Sequence, residues 1–88
     1  MNRDTLDRVI SGLADRNIRF SELRQLLCRL GFSERIRGAH HIFWHASIPE
    51  ILNLQPLGDG KAKAYQVKQV RIVLLKYRLH REAGDVQV

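Results

Sequence analysis

The hydrophobic periodicity of the chain changes at Gly31, and this change constrains the fold more than any other feature. Before it, apolar residues recur at helical spacing, as in Leu23, Leu26, Leu27 and Leu30. After it come short apolar runs bounded by glycine, proline or polar residues, a pattern typical of short strands. The sequence therefore predicts an α+β fold in which two helices precede a small sheet.

Three helices are predicted, two before Gly31 and one after the strands. Residues 4–13 form the first, with Asp4 positioned to cap it, and Ser21 caps the second, which ends where a glycine commonly terminates a helix. The apolar stripe of the first helix is Leu6, Val9, Ile10 and Leu13. The closing helix runs from about residue 65 to 79. Its core face is Val67, Val70, Val73, Leu74 and Tyr77.

Three short strands are predicted between these helices. They span residues 32–37, 41–46 and 51–55, with Gly38 in a turn or bulge and Pro56 ending the third strand. Short connections between short strands favour an antiparallel meander. The order is then α-α-β-β-β-α, with helices on one face of a three-stranded sheet and the other face free for a partner.

Length and composition indicate one small domain. A chain of 88 residues buries only about 60–65% of its unfolded surface. No apolar run approaches the ~18 residues of a membrane span, and the charged first twenty residues exclude a secretory signal. The single cysteine, Cys28, cannot form an internal disulfide, so a cytoplasmic protein is expected. Cys28 itself is predicted to be a small buried residue.

The positive charge is concentrated in one half of the chain. Residues 35–81 carry nine of the fifteen Lys and Arg residues but only two acidic residues. Together with a pI near 10.3, this indicates a polyanionic partner such as a nucleic acid. A basic surface that only provides solubility and an acidic protein partner are the alternatives.

Adjacent histidines, His40 and His41, begin the second predicted strand. Because side chains alternate along a strand, His41, Phe43 and His45 share one face. About 13 Å of strand separates His41 from His45, whereas zinc ligands lie ~2 Å from their metal, so no metal site is expected. Phe43 and Trp44 are expected to pack in the core or on the sheet rather than to stack on bases.

A histidine among cations suits one reaction on RNA. A ring near its titration range can remove the proton of a 2′-hydroxyl, which then attacks the adjacent phosphate without a metal. Arg37, Lys61 and Lys63 are the cations best placed to stabilise the charge that develops. The alternative to this catalytic role is that His41 only contributes to the structure of the strand. The group that protonates the leaving oxygen stays open among His41 itself, His45, Tyr65 and a lysine.

Several segments together resemble one protein family. Residues 20–32 form a helix followed by Gly38-Ala39-His40-His41-Ile42-Phe43, and residues 51–56 and 60–71 supply a strand and a basic loop that leads into a helix. Over roughly residues 20–79 this pattern resembles the HicA-like toxins of bacterial toxin–antitoxin pairs. The glycine–small–histidine–histidine–aliphatic–aromatic run is fairly specific in this context.

The resemblance implies a fold and a function. The fold is a double-stranded-RNA-binding-like α-β-β-β-α unit, here over residues 20–81, preceded by a helical extension (1–19) and followed by a tail (82–88). The activity is cleavage of messenger RNA, which halts translation, and a HicB-like antitoxin holds the enzyme inactive. The catalytic residue is the second histidine, His41, and no cofactor is implied. The expected RNA-contacting residues are Arg37, Gly38, His40, Lys61, Lys63 and Lys68.

Two departures from the family pattern stand out. The family usually has serine where this chain has Ala39, which removes one hydroxyl contact but leaves the histidine. The extension over residues 1–19 could cover the core, contact the antitoxin or support self-association. A non-catalytic RNA-binding module is the main alternative function.

Overall fold

The computed structural model describes residues 3–81, and the chain there has the predicted order α-α-β-β-β-α. The helices are α1 (Arg3–Ser11), α2 (Phe20–Arg29) and α3 (Ala64–Lys76). The strands are β1 (Ser33–Arg37), β2 (His40–Trp44) and β3 (Leu52–Leu54). The α+β class is confirmed, and the predicted tail over residues 82–88 lies outside the described residues.

The first helix is shorter than predicted. It ends at Ser11 because Gly12 adopts a left-handed backbone conformation with φ of 73°. Leu13 therefore falls beyond the helix and is 92% exposed, so its predicted place on the buried stripe is wrong. Asp4 lies in the first turn and forms an ion pair with Arg8 at 3.1 Å.

The second helix begins two residues earlier than the sequence suggested. Arg19 is its N-cap, and the carboxylate of Glu22 accepts a hydrogen bond from the Arg19 N–H at 3.1 Å. This contact is half of a capping box and satisfies one of the free amides at the helix start. Ser21 lies inside the first turn, so its predicted role as the cap is wrong.

The same helix ends as predicted. Gly31 has φ of 97°, and its N–H donates to the carbonyl of Cys28 at 3.1 Å. The N–H of Phe32 donates to the carbonyl of Leu27 at 3.0 Å. These two bonds form a Schellman motif, for which glycine is preferred because it adopts the left-handed conformation without strain.

The three strands form an antiparallel meander in the order β1-β2-β3. Arg37 pairs with His40 across a two-residue turn in which Gly38 has φ of 58°, so the turn predicted at Gly38 is confirmed. In this register His41 lies opposite Ile36 on one side and opposite Leu54 on the other. Directly opposed residues share a sheet face, so these three side chains lie on the same face.

Helices α2 and α3 cover that face, and α1 packs against both of them. Phe43, Leu52 and Leu54 from the sheet join apolar residues of the helices in one buried cluster. α1 belongs to this cluster through Leu6 and Val9, so residues 3–11 cover part of the core.

An ion pair joins the N-terminal segment to α3. The guanidinium of Arg71 donates to both carboxylate oxygens of Asp15 at 2.8 and 3.1 Å and to the carbonyl of Val9 at 3.1 Å. The last contact satisfies a free carbonyl near the end of α1.

The last helix follows its predicted core face closely. Val67, Val70, Val73 and Leu74 are buried, and Tyr77 packs partly buried against the cluster just beyond the helix end. Within residues 3–81, no helix has the length and apolar character needed to cross a bilayer.

Candidate functional site

His41 lies on the helix-covered face, next to the β1–β2 turn. Its ring meets the ring of Phe20, the first residue of α2, edge to face at a centroid distance of 4.7 Å. Its Nδ1 lies 2.8 Å from Oε2 of Glu34, and its side chain is 16% exposed. The imidazole is therefore fixed by an aromatic contact and a carboxylate while keeping limited access to solvent.

Glu34 reaches His41 because the hairpin places both on the same face. Glu34 pairs with Phe43, one step along that face from His41. The Nε of Arg24 on α2 donates to both oxygens of this carboxylate at 2.8 and 2.6 Å. Arg24, Glu34 and His41 thus form one chain of charge-assisted hydrogen bonds, which we call the Arg24–Glu34–His41 relay.

The electrostatics of the relay keep Glu34 ionised. Burial of its carboxyl group by itself raises the pKa, but the hydrogen bonds from Arg24 and His41 outweigh burial and lower the pKa of Glu34 from its ordinary value. Arg24 is about half exposed whereas Glu34 is only 11% exposed, so the negative charge is enclosed and its main partner is at the surface.

An ionised carboxylate fixes the tautomer of His41. Because the carboxylate only accepts hydrogen bonds, the Nδ1 of His41 carries the hydrogen that it donates. In the neutral ring Nε2 is then the acceptor, and it forms no hydrogen bond within residues 3–81. This is the arrangement that a general base requires: one nitrogen held by a carboxylate and the other available.

The basic loop predicted as an RNA contact is tied to the start of α2. The N–H of Phe20 donates to the carbonyl of Gly60 at 3.0 Å, and Arg19 and Lys61 form an isolated antiparallel bridge. Lys63 donates to the side-chain carbonyl of Gln55 at 3.4 Å, one residue beyond the strand partner of His41. These contacts place the loop cations around the elements that hold His41.

Three other predicted RNA contacts lie apart from the imidazole. Arg37 and His40 are on the opposite, uncovered face of the sheet, where His40 Nδ1 lies 3.0 Å from Oδ1 of Asn53. Lys68 is on the exposed side of α3, away from the residues that the helix buries. None of these three side chains forms a hydrogen bond or ion pair with the His41 ring in the described part of the chain.

His45 has a structural environment. β2 ends at Trp44, one residue before it, so the predicted strand to residue 46 is too long. The N–H of Ser47 donates to Nδ1 at 3.0 Å, and Nε2 lies 3.2 Å from the carbonyl of Leu30, to which it donates. With both nitrogens bound to backbone groups, His45 is not placed to act as an acid. Tyr65, the other candidate, is 60% exposed on α3.

The burial of three further residues can be compared with the predictions. Cys28 is exposed on α2, so the prediction of a buried cysteine is wrong. Phe43 is fully buried as predicted, whereas Trp44 is 41% exposed on the opposite face. Within residues 3–81 no group of three or more His, Cys, Asp and Glu side chains is arranged to hold a metal.

Sequence reasoning missed four residues of this site: Phe20, Arg19, Arg24 and Glu34. Glu34 was detectable, since a two-residue turn at Gly38 pairs residues whose numbers sum to 77 and so places it diagonally across from His41. The approach of Arg24 and Phe20 depends on how α2 packs on the sheet, for which the sequence carries no comparable signal.

Comparison of the chain with protein-family models, with curated proteins and with solved structures found no match.

Proposed function

We propose that the protein is a metal-independent endoribonuclease in which His41 is the general base. The observation that carries this proposal is the Arg24–Glu34–His41 relay, because it presents Nε2 of a strand-held imidazole as a proton acceptor. A general base in position typically accelerates proton transfer-limited reactions ~10²–10⁴-fold. Glu34 acts as a positioning residue, since it touches the ring and not the substrate.

The reaction needs only groups that RNA and the protein supply. Nε2 of His41 takes the proton of a 2′-hydroxyl, the 2′-oxygen attacks the adjacent phosphorus, and the bond from phosphorus to the 5′-oxygen breaks. The products are a 2′,3′-cyclic phosphate and a 5′-hydroxyl. The protonated imidazole returns its proton to the leaving 5′-oxygen, so protons balance over one turnover.

Cations beside the relay suit the charge that develops on the phosphate. Lys61, Lys63 and Arg19 lie on segments bonded to α2 and to the end of β3. The side chains of Lys61 and Arg19 have no acidic partner or hydrogen bond in the described part of the chain. Lys63 has only a long hydrogen bond to the neutral amide of Gln55. They are free to pair with phosphate oxygens and stabilise the pentacovalent transition state.

The same proposal extends to family and context. The α-β-β-β-α order over residues 20–81 supports a double-stranded-RNA-binding-like unit, and the Gly38-to-Phe43 run supports a HicA-like toxin. Such a protein acts in the cytoplasm, cleaves messenger RNA and is neutralised by a HicB-like antitoxin. Ala39 lies in the exposed turn, so the missing serine hydroxyl leaves the relay untouched.

The test is cleavage of a structureless RNA in EDTA by the wild type and by His41→Ala. We expect the wild type to cleave, to leave 2′,3′-cyclic phosphate ends and to spare the same sequence with 2′-deoxyribose throughout. We expect His41→Ala to be inactive although folded. Equal activity of the two proteins, or loss of wild-type cleavage in EDTA, would reject the mechanism.

A non-catalytic RNA-binding module is the second candidate. It is favoured by Arg35 and Arg37, whose side chains form no ion pair or hydrogen bond within residues 3–81 and lie on the face away from His41. This alternative predicts salt-dependent binding with intact RNA after long incubation, and no effect of His41→Ala.

A further inference from the structure

The sheet has one face that the helices leave uncovered. We call it the open face, and the strand residues on it are Ser33, Arg35, Arg37, His40, Ile42, Trp44 and Asn53. All but Ile42, which is half-buried, are exposed. Two are arginines, and none of the residues in β1, β2 and β3 that face this way is acidic.

Trp44 is the largest apolar group on the open face. It pairs directly with Ser33, whose small side chain cannot cover an indole ring, and it is 41% exposed. Arg35 lies diagonally across from it, opposite Ile42. An exposed indole near guanidinium groups on an uncovered sheet face is an arrangement on which nucleic-acid bases stack while their phosphates meet cations.

The charge of the open face is not neutralised elsewhere in the fold. Five acidic side chains are paired with other cations: Asp4 and Glu22 with Arg8, Asp15 with Arg71, Glu34 with Arg24, and Glu50 with Lys76. Arg35 and Arg37 are left without such partners in the described part of the chain. The face therefore attracts an anion, and its exposed aromatic ring selects an anion that carries flat rings.

We propose that the open face binds single-stranded RNA, with a base stacked on Trp44 and phosphates held by Arg35 and Arg37. Single strands are favoured over duplexes because only unpaired bases can leave their own stack to lie on an indole. From His40 to Trp44 the face offers a track of about 13 Å along β2. The proposal goes beyond cleavage, because His41 lies on the opposite face.

The single tryptophan of the chain makes the test direct. The probe is a 2′-O-methyl oligouridine, which cannot be cleaved because it lacks the 2′-hydroxyl nucleophile. We expect saturable quenching of Trp44 fluorescence as this oligonucleotide is added. The midpoint should equal that of the binding curve measured by the fluorescence anisotropy of the labelled oligonucleotide. Replacing the indole by Trp44→Leu should weaken binding about 5- to 150-fold, the range of a lost base–aromatic stack.

Matched variants separate stacking and charge from general effects. Trp44→Phe keeps an aromatic ring and should bind more tightly than Trp44→Leu, which keeps only apolar bulk. Arg35→Gln with Arg37→Gln should reduce the slope of log K against log salt by about 1.4, the value for two phosphate contacts on a single strand. The control pair Arg29→Gln with Arg81→Gln removes the same charge from exposed positions off this face and should leave that slope nearly unchanged.

Three results would overturn the proposal. The first is RNA binding by anisotropy without quenching, or with wild-type affinity in Trp44→Leu. The second is competition by duplex RNA that exceeds competition by the single strand. The third is equal quenching by polyglutamate at the same charge concentration, which would indicate an acidic protein partner. Because the probe cannot be cleaved, none of these results bears on catalysis by His41.

Discussion

His41 and His45 lie at the two ends of one short stretch, and both meet a phenylalanine ring edge to face, yet their environments differ. His41 meets Phe20 at 4.7 Å and His45 meets Phe32 at 5.1 Å. His41 binds a carboxylate through one nitrogen and leaves the other free. His45 binds backbone groups through both nitrogens.

The two rings differ in their hydrogen-bond partners rather than in residue type or aromatic contact, and this difference underlies the proposal of His41 as the base. A ring whose two nitrogens are both satisfied has no site for a substrate proton. His45 also packs against the C-terminal end of α2, where its Nε2 donates to the carbonyl of Leu30. A Cβ atom on Gly31 would lie only 3.1 Å from this nitrogen. His41 has no comparable backbone role.

The largest expected effect is on His41. We expect His41→Ala to lower RNA cleavage by roughly 10²–10⁴-fold, the usual contribution of a general base. The midpoint of thermal unfolding should also fall, because the mostly buried side chain gives up its hydrogen bond to Glu34 and its ring contact with Phe20. Cleavage rates per folded protein, with folding monitored by circular dichroism, check this. A variant as active as the wild type would end the distinction between the two histidines.

The next effect tests the carboxylate. In Glu34→Gln the amide can present its NH₂ to the ring, which allows the wrong tautomer and removes the anion that stabilises the imidazolium. We expect kcat to fall roughly 10- to 100-fold with KM nearly unchanged, and Glu34→Asp to recover part of the loss. A proportional loss of folded protein with unchanged kcat would instead give Glu34 a purely structural role.

His45→Ala should show the reverse behaviour. It leaves the carbonyl of Leu30 and the N–H of Ser47 without their partner and removes the contact with Phe32. We expect a loss of about 1–3 kcal/mol in the free energy of unfolding, with cleavage by the folded fraction retained. Urea unfolding measures the first quantity. Loss of cleavage at full stability would place His45 in the reaction after all.

The smallest effect concerns pH. The pKa of Glu34 is lower in the folded protein than its ordinary value, since hydrogen bonds from Arg24 and His41 outweigh burial. Its contribution to stability is therefore present above the unfolded-state pKa and is lost as pH falls through the folded-state pKa. Unfolding midpoints measured from pH 7 to 3 should drop more steeply for the wild type than for Glu34→Gln. If the unfolding midpoints of the two proteins fell in parallel with pH, the assignment of an ionised Glu34 in the folded protein would be contradicted.

Much of the fold was predictable because local patterns determine it. The apolar stripe of α3, the glycine at the end of α2 and the turn at Gly38 all follow from residue periodicity and from backbone conformations that glycine favours. The start of α2 was predicted incorrectly. Serine is a favourable N-cap residue, but α2 starts at Phe20, so Arg19 occupies the N-cap position. The carboxylate of Glu22 then accepts the hydrogen bond from the Arg19 N–H.

The candidate site was predictable only in part. Alternation along β2 separated His41 and Phe43 from Trp44, and the structure agrees. The sequence could not show that Cys28 is exposed, since the burial of a residue on α2 depends on which side of that helix meets the sheet. Nor could it show that His45 leaves the strand and bonds to Leu30, fifteen residues away.

The amino-acid sequence was sufficient to predict the α+β class, the order of elements, the excess of positive charge and the histidine pair at the start of the second strand. These properties are set by neighbours in the chain, through periodicity, turn chemistry and composition. The folded structure was needed to show that Arg24 and Glu34 hold His41, that both ring nitrogens of His45 are hydrogen-bonded, and that Arg35, Arg37 and Trp44 share an uncovered face. Those outcomes depend on strand register and helix packing, which bring together residues that no local pattern links.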